Sequence, residues 1–120
     1  MTKVLLATDS DEIAEETFAA LVSKETTVSR VKRGEDVREI AQQLEPDLVI
    51  LDLQIGNMGG VATSLDLRHE ISAGRLKPTK ILMLLDREAD LWIASEAKVD
   101  EQLVKPLNAL QLRKKAESIL

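Results

Sequence analysis

The sequence predicts an α/β protein with a (βα)5 pattern, in which five parallel strands form one doubly wound sheet between two layers of helices. Three continuous apolar runs carry this prediction: Val4–Ala7, Leu48–Leu51 and Ile81–Leu85. Runs without polar alternation are typical of parallel strands that are covered on both faces. Stretches with helical periodicity separate the runs, and right-handed crossovers through such helices give an open sheet.

The remaining elements follow from apolar spacing and from chain breakers. Helices are predicted at Ala14–Val22, Val37–Leu44 (which Pro46 stops), Gly60–Ser72, Arg87–Ala97, and after Asn108 as an N-cap. Two further strands are weaker. Thr27–Arg33 is rich in β-branched residues but alternates poorly, so we expect it at an edge of the sheet. Glu101–Val104 is short and is identified mainly by the residues that follow it.

Composition narrows the class of protein. The length of 120 residues suits one domain, residues 1–120, and 44% hydrophobic residues are enough for a sizeable core. With no cysteine, disulfides and thiolate chemistry are excluded. A net charge of −5 argues against direct nucleic-acid binding, and no run is long enough for a signal peptide or membrane span. We therefore expect a cytoplasmic protein without a membrane partner and, if the chain is complete, without an output domain.

Acidic residues and one lysine follow the predicted strands. Asp9, Asp52, Asp86 and Lys105 come directly after or close to strand ends, and parallel strands bring their carboxyl ends to one edge, where ligands bind. This set suits aspartyl phosphorylation. Asp52 would be the carboxylate nucleophile, and Lys105 would contact the phosphoryl group. A hard divalent cation, Mg²⁺, would be held by Asp9 and Asp52.

Three segments resemble the receiver domains of the response-regulator family. KVLLATDS, from Lys3 to Ser10, is similar to the first strand of those domains, and DLVILDLQIGNMGG, from Asp47 to Gly60, resembles their phosphoacceptor segment. LVKPL, from Leu103 to Leu107, resembles the fifth-strand motif. The resemblance covers the whole chain, and the three segments at their observed spacings are far more specific together than any one of them alone.

The resemblance implies a flavodoxin-like, CheY-like fold and a role in two-component signalling rather than enzymatic activity. A sensor histidine kinase or phosphotransfer protein would phosphorylate Asp52, and the domain would act by binding an unknown downstream protein. The Mg²⁺ ligands would then be Asp9, Asp52 and the backbone carbonyl of Gln54. Pro106 suggests a cis peptide bond after Lys105.

Several positions depart from the family pattern. Thr8 replaces an acidic residue, so we expect weak Mg²⁺ binding, and Gly56 replaces a proline. Leu85 replaces the Ser or Thr whose hydroxyl moves to the phosphoryl group, and Gln102 replaces the aromatic residue that turns inward behind it. Asp86 stands where a small residue is usual; it could partly replace the missing carboxylate or repel a phosphodonor.

Each candidate also has a plainer interpretation. Asp9 and Asp86 could be helix N-caps, which we favour for Asp86 but not for Asp9, and Thr8 is expected to be structural. His69 is expected to be solvated. Trp92 is either a partner-binding anchor or half-buried packing, and the basic run 113–115 is expected to complement a helix dipole rather than bind nucleic acid.

Three other functions compete with a phosphorylated receiver. A pseudo-receiver would keep the fold as an interaction module without useful phosphorylation, as Thr8 and Leu85 would favour. An aspartyl-phosphate hydrolase needs a second Asp two positions after the nucleophile, where this chain has Gln54. A flavin-binding module lacks support, because the predicted crevice is acidic and aromatic residues are nearly absent.

Overall fold

The computed structural model describes all 120 residues and contains five strands and five α-helices in alternation. The strands are β1 (Thr2–Ala7), β2 (Thr26–Val31), β3 (Leu48–Asp52), β4 (Lys80–Leu85) and β5 (Glu101–Val104). The helices are α1 (Asp11–Leu21), α2 (Val37–Leu44), α3 (Gly60–Ser72), α4 (Leu91–Glu96) and α5 (Ala109–Ile119). The predicted fold class and the number of elements are confirmed.

All neighbouring strands are parallel, in the order β2-β1-β3-β4-β5. β3 lies at the centre, and β2 lies at an edge as its mixed sequence predicts. Strand order reverses direction between β1 and β3, and a crevice opens at such a point at the carboxyl ends of the strands. The topology therefore brings the residues that follow β1, β3, β4 and β5 to one edge of the sheet.

The sheet buries both faces, which explains the unbroken apolar runs. All five residues of β3 are buried. Successive strand residues point to opposite faces, so Leu48 and Ile50 pack with α1 and α5, whereas Val49 and Leu51 pack with α2 and α3. A third cluster joins the end of β4 to α4. With so few aromatic residues, the core is filled by aliphatic side chains on both sides.

The loop that follows β3 is held by the loop that follows β2. The backbone N–H of Gly34 donates to the carbonyl of Gly56 at 3.0 Å, and that of Glu35 donates to Asn57 at 2.7 Å. A side chain at position 34 would collide with the carbonyl of Met58, so only glycine permits this approach. These contacts fix the path of residues 53–59, which border the site described below.

The fourth helix is shorter than predicted. A 3-10 turn occupies Glu88–Asp90, and α4 begins only at Leu91, whereas the apolar pattern predicts a helix over Arg87–Ala97. A 3-10 turn keeps approximate helical spacing, so the pattern alone does not distinguish the two. Trp92 is 67% exposed, so the alternative that it forms half-buried packing is wrong.

Of the remaining predictions about helix residues, two are confirmed and one is wrong. Asn108 caps α5, its side chain accepting a hydrogen bond from the N–H of Gln111, and His69 is exposed, as predicted. The run 113–115 lies in the middle of α5 instead of its last turn, so the dipole interpretation is wrong. Arg113 instead donates to the carbonyl of Ala20 in α1 at 2.7 Å, and Lys115 pairs with Glu101 at 3.2 Å. The structure contains no helix that is both long enough and apolar enough to cross a membrane.

Candidate functional site

Asp52 ends the central strand and is only 2% exposed. Contacts with the neighbouring strand β4 and with the start of α3 fix its position. The next N–H, that of Leu53, donates to the carbonyl of Leu84 in the neighbouring strand at 3.0 Å. α3 begins against this segment at Gly60, where a Cβ would lie 2.9 Å from the carbonyl oxygen of Asp52. A carboxylate in this position must be compensated by nearby donors, because burial of an unpaired charge is costly.

Three donors reach the Asp52 carboxylate. Lys105 Nζ lies 2.7 Å from Oδ1, which also accepts from the backbone N–H of Gln54 at 3.2 Å. The hydroxyl of Thr8 donates to Oδ2 at 2.8 Å. A carboxylate offers about four lone-pair sites, two on each oxygen. Oδ1 is therefore saturated, and the remaining acceptor site of the group lies on Oδ2.

Lys105 follows β5 and lies between two carboxylates. Its Nζ is 2.7 Å from Asp52 and 3.0 Å from Asp86, and its side chain is 18% exposed. Burial by itself lowers the pKa of the Lys105 ammonium, but the hydrogen bonds and charges of the two aspartates outweigh burial and raise the pKa above its ordinary value. The lysine therefore stays charged at neutral pH. The peptide bond between Lys105 and Pro106 is cis, as the sequence suggests.

Asp86 is part of this ion group and is not a helix N-cap. The helical segment that follows starts two residues later, and the Asp86 carboxylate contacts Lys105. Burial raises the pKa of Asp86, but hydrogen bonds from the side chains of Lys105 and Gln54, together with the lysine charge, more than offset burial and lower that pKa. The sequence does not reveal this contact, because an acidic residue just before a helical pattern is the ordinary signal of a cap.

Thr8 is in direct contact with the Asp52 carboxylate, a contact that the sequence does not predict. It is completely buried, and besides donating to Asp52 its oxygen accepts from the N–H of Ser10 at 3.1 Å. Arg30 of β2 donates through Nε to the backbone carbonyl of Thr8 at 3.1 Å. Nothing in the sequence of the edge strand predicts that its arginine supports this loop. The end of β1 is therefore held from both sides, with its hydroxyl directed at the Asp52 carboxylate.

Asp9 lies at the rim of the same crevice. Its Oδ2 accepts a hydrogen bond from the N–H of Gly56 at 3.1 Å, whereas Ser10 caps α1, so Asp9 is not the N-cap. Asp9, Asp52 and the carbonyl of Gln54 supply only hard oxygen donors, which suit Mg²⁺ in kind. However, no group of three or more acidic, histidine or cysteine side chains forms a metal-ligating cluster. The donors therefore suit a hard cation in chemical type, but they form no ready-made acidic cluster and include one carboxylate fewer than the family pattern.

The position of the missing switch hydroxyl is filled by a buried side chain. Leu85 is 0% exposed and packs with Met83, Ala94 and Ala97, so it anchors β4 to α4. Gln102 lies on β5 and is partly exposed. Neither side chain hydrogen-bonds Asp52, Asp86 or Lys105, and Leu85 meets Lys105 only through the backbone, where its carbonyl accepts from the Lys105 N–H at 2.7 Å. The apolar contact of Leu85 therefore replaces a polar group that the family directs toward the site.

Comparison with known proteins agrees with the fold. Residues 4–117 match the family model of the response regulator receiver domain, and the chain belongs to that family. It is 32% identical over 89 residues to the nitrate/nitrite response regulator protein NarL of Escherichia coli K12. This match covers 74% of the chain and 40% of NarL.

Two further comparisons cover more of the chain. It is 26% identical over 114 residues to the response regulator protein VraR of Staphylococcus aureus, covering 91% of the chain and 52% of VraR. The structure of the chemotaxis response regulator CheY4 of Vibrio cholerae superimposes with a TM-score of 0.88 and 26% identity, covering 100% of this chain and 99% of that one. The chain thus spans about half or less of the length of the curated relatives it matches.

The contact between Thr8 and Asp52 predicts the effect of restoring a carboxylate at position 8. Thr8→Asp should tighten Mg²⁺ binding roughly tenfold, because affinity for a hard cation rises with the number of anionic ligands. Thr8→Val, which has nearly the same shape but neither charge nor hydroxyl, should show no such gain. The measurement is a Mg²⁺ titration followed by the amide NMR signals of Asp9 and Gly56. Equal affinities in wild type and Thr8→Asp would mean that another group, such as Asp86, already supplies the missing charge.

Proposed function

We propose that this chain is a phosphoacceptor domain of a two-component phosphorelay, which is phosphorylated on Asp52 and acts through protein–protein contact. A sensor histidine kinase or a phosphotransfer protein would be the donor. The downstream partner would be a protein rather than nucleic acid or a membrane. The chain is a receiver domain of the response-regulator family, and receiver domains are generally signalling modules rather than enzymes.

One observation carries this proposal. The buried Asp52 carboxylate is 2.7 Å from the Lys105 ammonium, at the edge where the topology also places Asp9. A nucleophilic carboxylate next to a fixed cation is the arrangement that phosphoryl transfer requires, because negative charge accumulates on the phosphoryl oxygens. A buried salt bridge alone is weak support for stability, so the pair is better explained by chemistry than by folding.

The contacts assign a task to each residue. An Asp52 oxygen, most readily Oδ2 with its remaining lone pair, would form the bond to phosphorus. The bond between phosphorus and nitrogen would break, and its electron pair would leave with the imidazole of a phosphohistidine or with the nitrogen of phosphoramidate, which departs as ammonia. Lys105 would offset the growing charge on the phosphoryl group, and Thr8 would orient the carboxylate.

A hard cation would be held by Asp9, Asp52 and the carbonyl of Gln54, where it would supply positive charge next to the phosphoryl oxygens. Thr8 donates to the same Asp52 oxygen that has the free lone pair. A cation would therefore compete for the Asp52 carboxylate with this hydroxyl and with the two donors on Oδ1. This competition, together with the missing carboxylate, supports weak Mg²⁺ binding as part of the proposal.

A pseudo-receiver is the second candidate, and two contacts favour it. Three donors already satisfy the Asp52 carboxylate, and only 2% of the residue is exposed, so a phosphodonor must displace part of this packing. Leu85 is also packed where a switching hydroxyl would be needed. A pseudo-receiver would not be usefully phosphorylated, and the first of the following two measurements tests this.

The first measurement is the mass of the intact protein after treatment with phosphoramidate. We expect the mass of one phosphoryl group on the wild type when Mg²⁺ is present, and none on Asp52→Asn, since asparagine keeps the shape but lacks the nucleophile. Glu117→Gln, an exposed change on α5, is the control and should be phosphorylated like the wild type. An added mass that persisted in Asp52→Asn would refute the site. No added mass on the wild type at long times and high donor concentration would favour the pseudo-receiver.

The second measurement concerns the output surface. Leu85 cannot donate a hydrogen bond to a phosphoryl group, and such a bond to a charged acceptor contributes about 1.5–3 kcal/mol, roughly ten- to a hundredfold in a conformational equilibrium. We therefore expect a phosphoryl mimic bound at Asp52 to change backbone NMR shifts across residues 88–106 only slightly. Large changes throughout that range would show that the domain switches by another route.

A further inference from the structure

We propose that Asp86 competes with a phosphoryl group on Asp52 for the charge of Lys105, and thereby limits how readily Asp52 accepts phosphate. This inference rests on the proposed function but does not follow from it, because a receiver with a small uncharged residue at this position has no such competitor. It makes Asp86 a residue that tunes the acceptor rather than one that carries out the chemistry.

The geometry places the two carboxylates around one ammonium group. Lys105 Nζ contacts Asp52 Oδ1 at 2.7 Å and Asp86 Oδ1 at 3.0 Å. A phosphoryl group added to Asp52 must lie next to that ammonium, and therefore next to the Asp86 carboxylate. The backbone N–H of Gln54 donates to the same Asp52 oxygen at 3.2 Å, so the space beside the ammonium is already occupied on the Asp52 side.

No other cation pairs with Asp86. The neighbouring Arg87 pairs with Asp90 at 3.5 Å, and Arg30, the arginine that supports the end of β1, pairs with Asp11 at 2.8 Å. Lys105 is the partner of Asp86 in the only salt bridge that this aspartate forms. If Lys105 pairs with a phosphoryl group, its ion pair with Asp86 is weakened. The phosphoryl oxygens then lie next to a carboxylate that no cation neutralises, and the two groups repel each other.

The burial of the group determines the size of the effect. The Asp86 side chain is 36% exposed, whereas those of Lys105 and Asp52 are 18% and 3% exposed. The repulsion between two charges a few ångströms apart should therefore be stronger than in bulk water and weaker than at a protein surface with little solvent. We expect it to change the rate or equilibrium of Asp52 phosphorylation on the order of tenfold. Because Asp86 is at the rim, part of the repulsion should be screened by salt.

The test compares phosphoramidate phosphorylation of the wild type and of Asp86→Asn, which keeps the shape of the side chain and removes its charge. In each reaction an Asp52 oxygen bonds to phosphorus, the P–N bond of zwitterionic phosphoramidate breaks, and its electron pair leaves with nitrogen as ammonia, which then takes a proton from water. We expect the initial rate of added phosphoryl mass to rise roughly tenfold in Asp86→Asn. Asp86→Ala, which removes the same charge without the amide, should change the rate in the same direction.

Two controls separate this effect from a general change of charge or stability. Glu117→Gln removes one negative charge from α5, away from the ion group, and should leave the rate unchanged. The advantage of Asp86→Asn over the wild type should shrink as ionic strength rises, which a purely structural effect would not do. Asp86→Glu, which keeps the charge, should stay near the wild-type rate.

The outcomes distinguish this inference from the proposed function. Equal phosphorylation of wild type and Asp86→Asn overturns the inference and leaves the phosphoacceptor role intact. Phosphorylation of Asp86→Asn alone supports the inference in its strongest form, with Asp86 blocking the wild-type site. If none of the variants is phosphorylated, both the inference and the phosphoacceptor role are rejected.

Discussion

The pairing of Asp52 with Lys105 is the constraint on which the organisation of this edge of the sheet depends. A carboxylate at the end of the central strand, 2% exposed, is tolerated only because donors arrive from both directions. Lys105 comes from β5 on one side, and the Thr8 hydroxyl comes from β1 on the other. The parallel order of the strands makes both approaches available, since it brings all strand carboxyl ends to the same edge.

The substitutions at the site shift its negative charge from one side of Asp52 to the other. Thr8 replaces a carboxylate with a neutral donor, while Asp86 adds a carboxylate on the other side of Lys105. The ion group thus remains rich in negative charge, but the added carboxylate, that of Asp86, contacts Lys105 and does not lie beside Asp9, where the cation would be held. Leu85 meanwhile joins the apolar contact with α4. The domain keeps the aspartate and the lysine that would serve as nucleophile and cation, and has fewer groups for a metal and no hydroxyl at the switch position.

The sequence predicts the sheet well because its signals are local and redundant. The runs that became β1, β3 and β4 are apolar without interruption, and only strands covered on both faces allow that. The sequence also predicts that Asp52 and Lys105 lie close together, because any parallel sheet of this class brings the carboxyl ends of its strands to one edge. The role of Thr8, the contact of Asp86 and the exposure of Trp92 depend instead on side-chain directions across different elements. No spacing within the chain contains that information.

The most direct test of the account is the chemical identity of the modified residue. Borohydride reduces an aspartyl phosphate to homoserine, so reduction of phosphodonor-treated protein followed by peptide mass mapping reports which carboxylate formed the bond. The account predicts homoserine at position 52 and at no other aspartate. Homoserine at Asp9 or Asp86 would contradict it, because the nucleophile would then be a residue that the structure leaves at the rim of the crevice. Unmodified peptides throughout would contradict it as well.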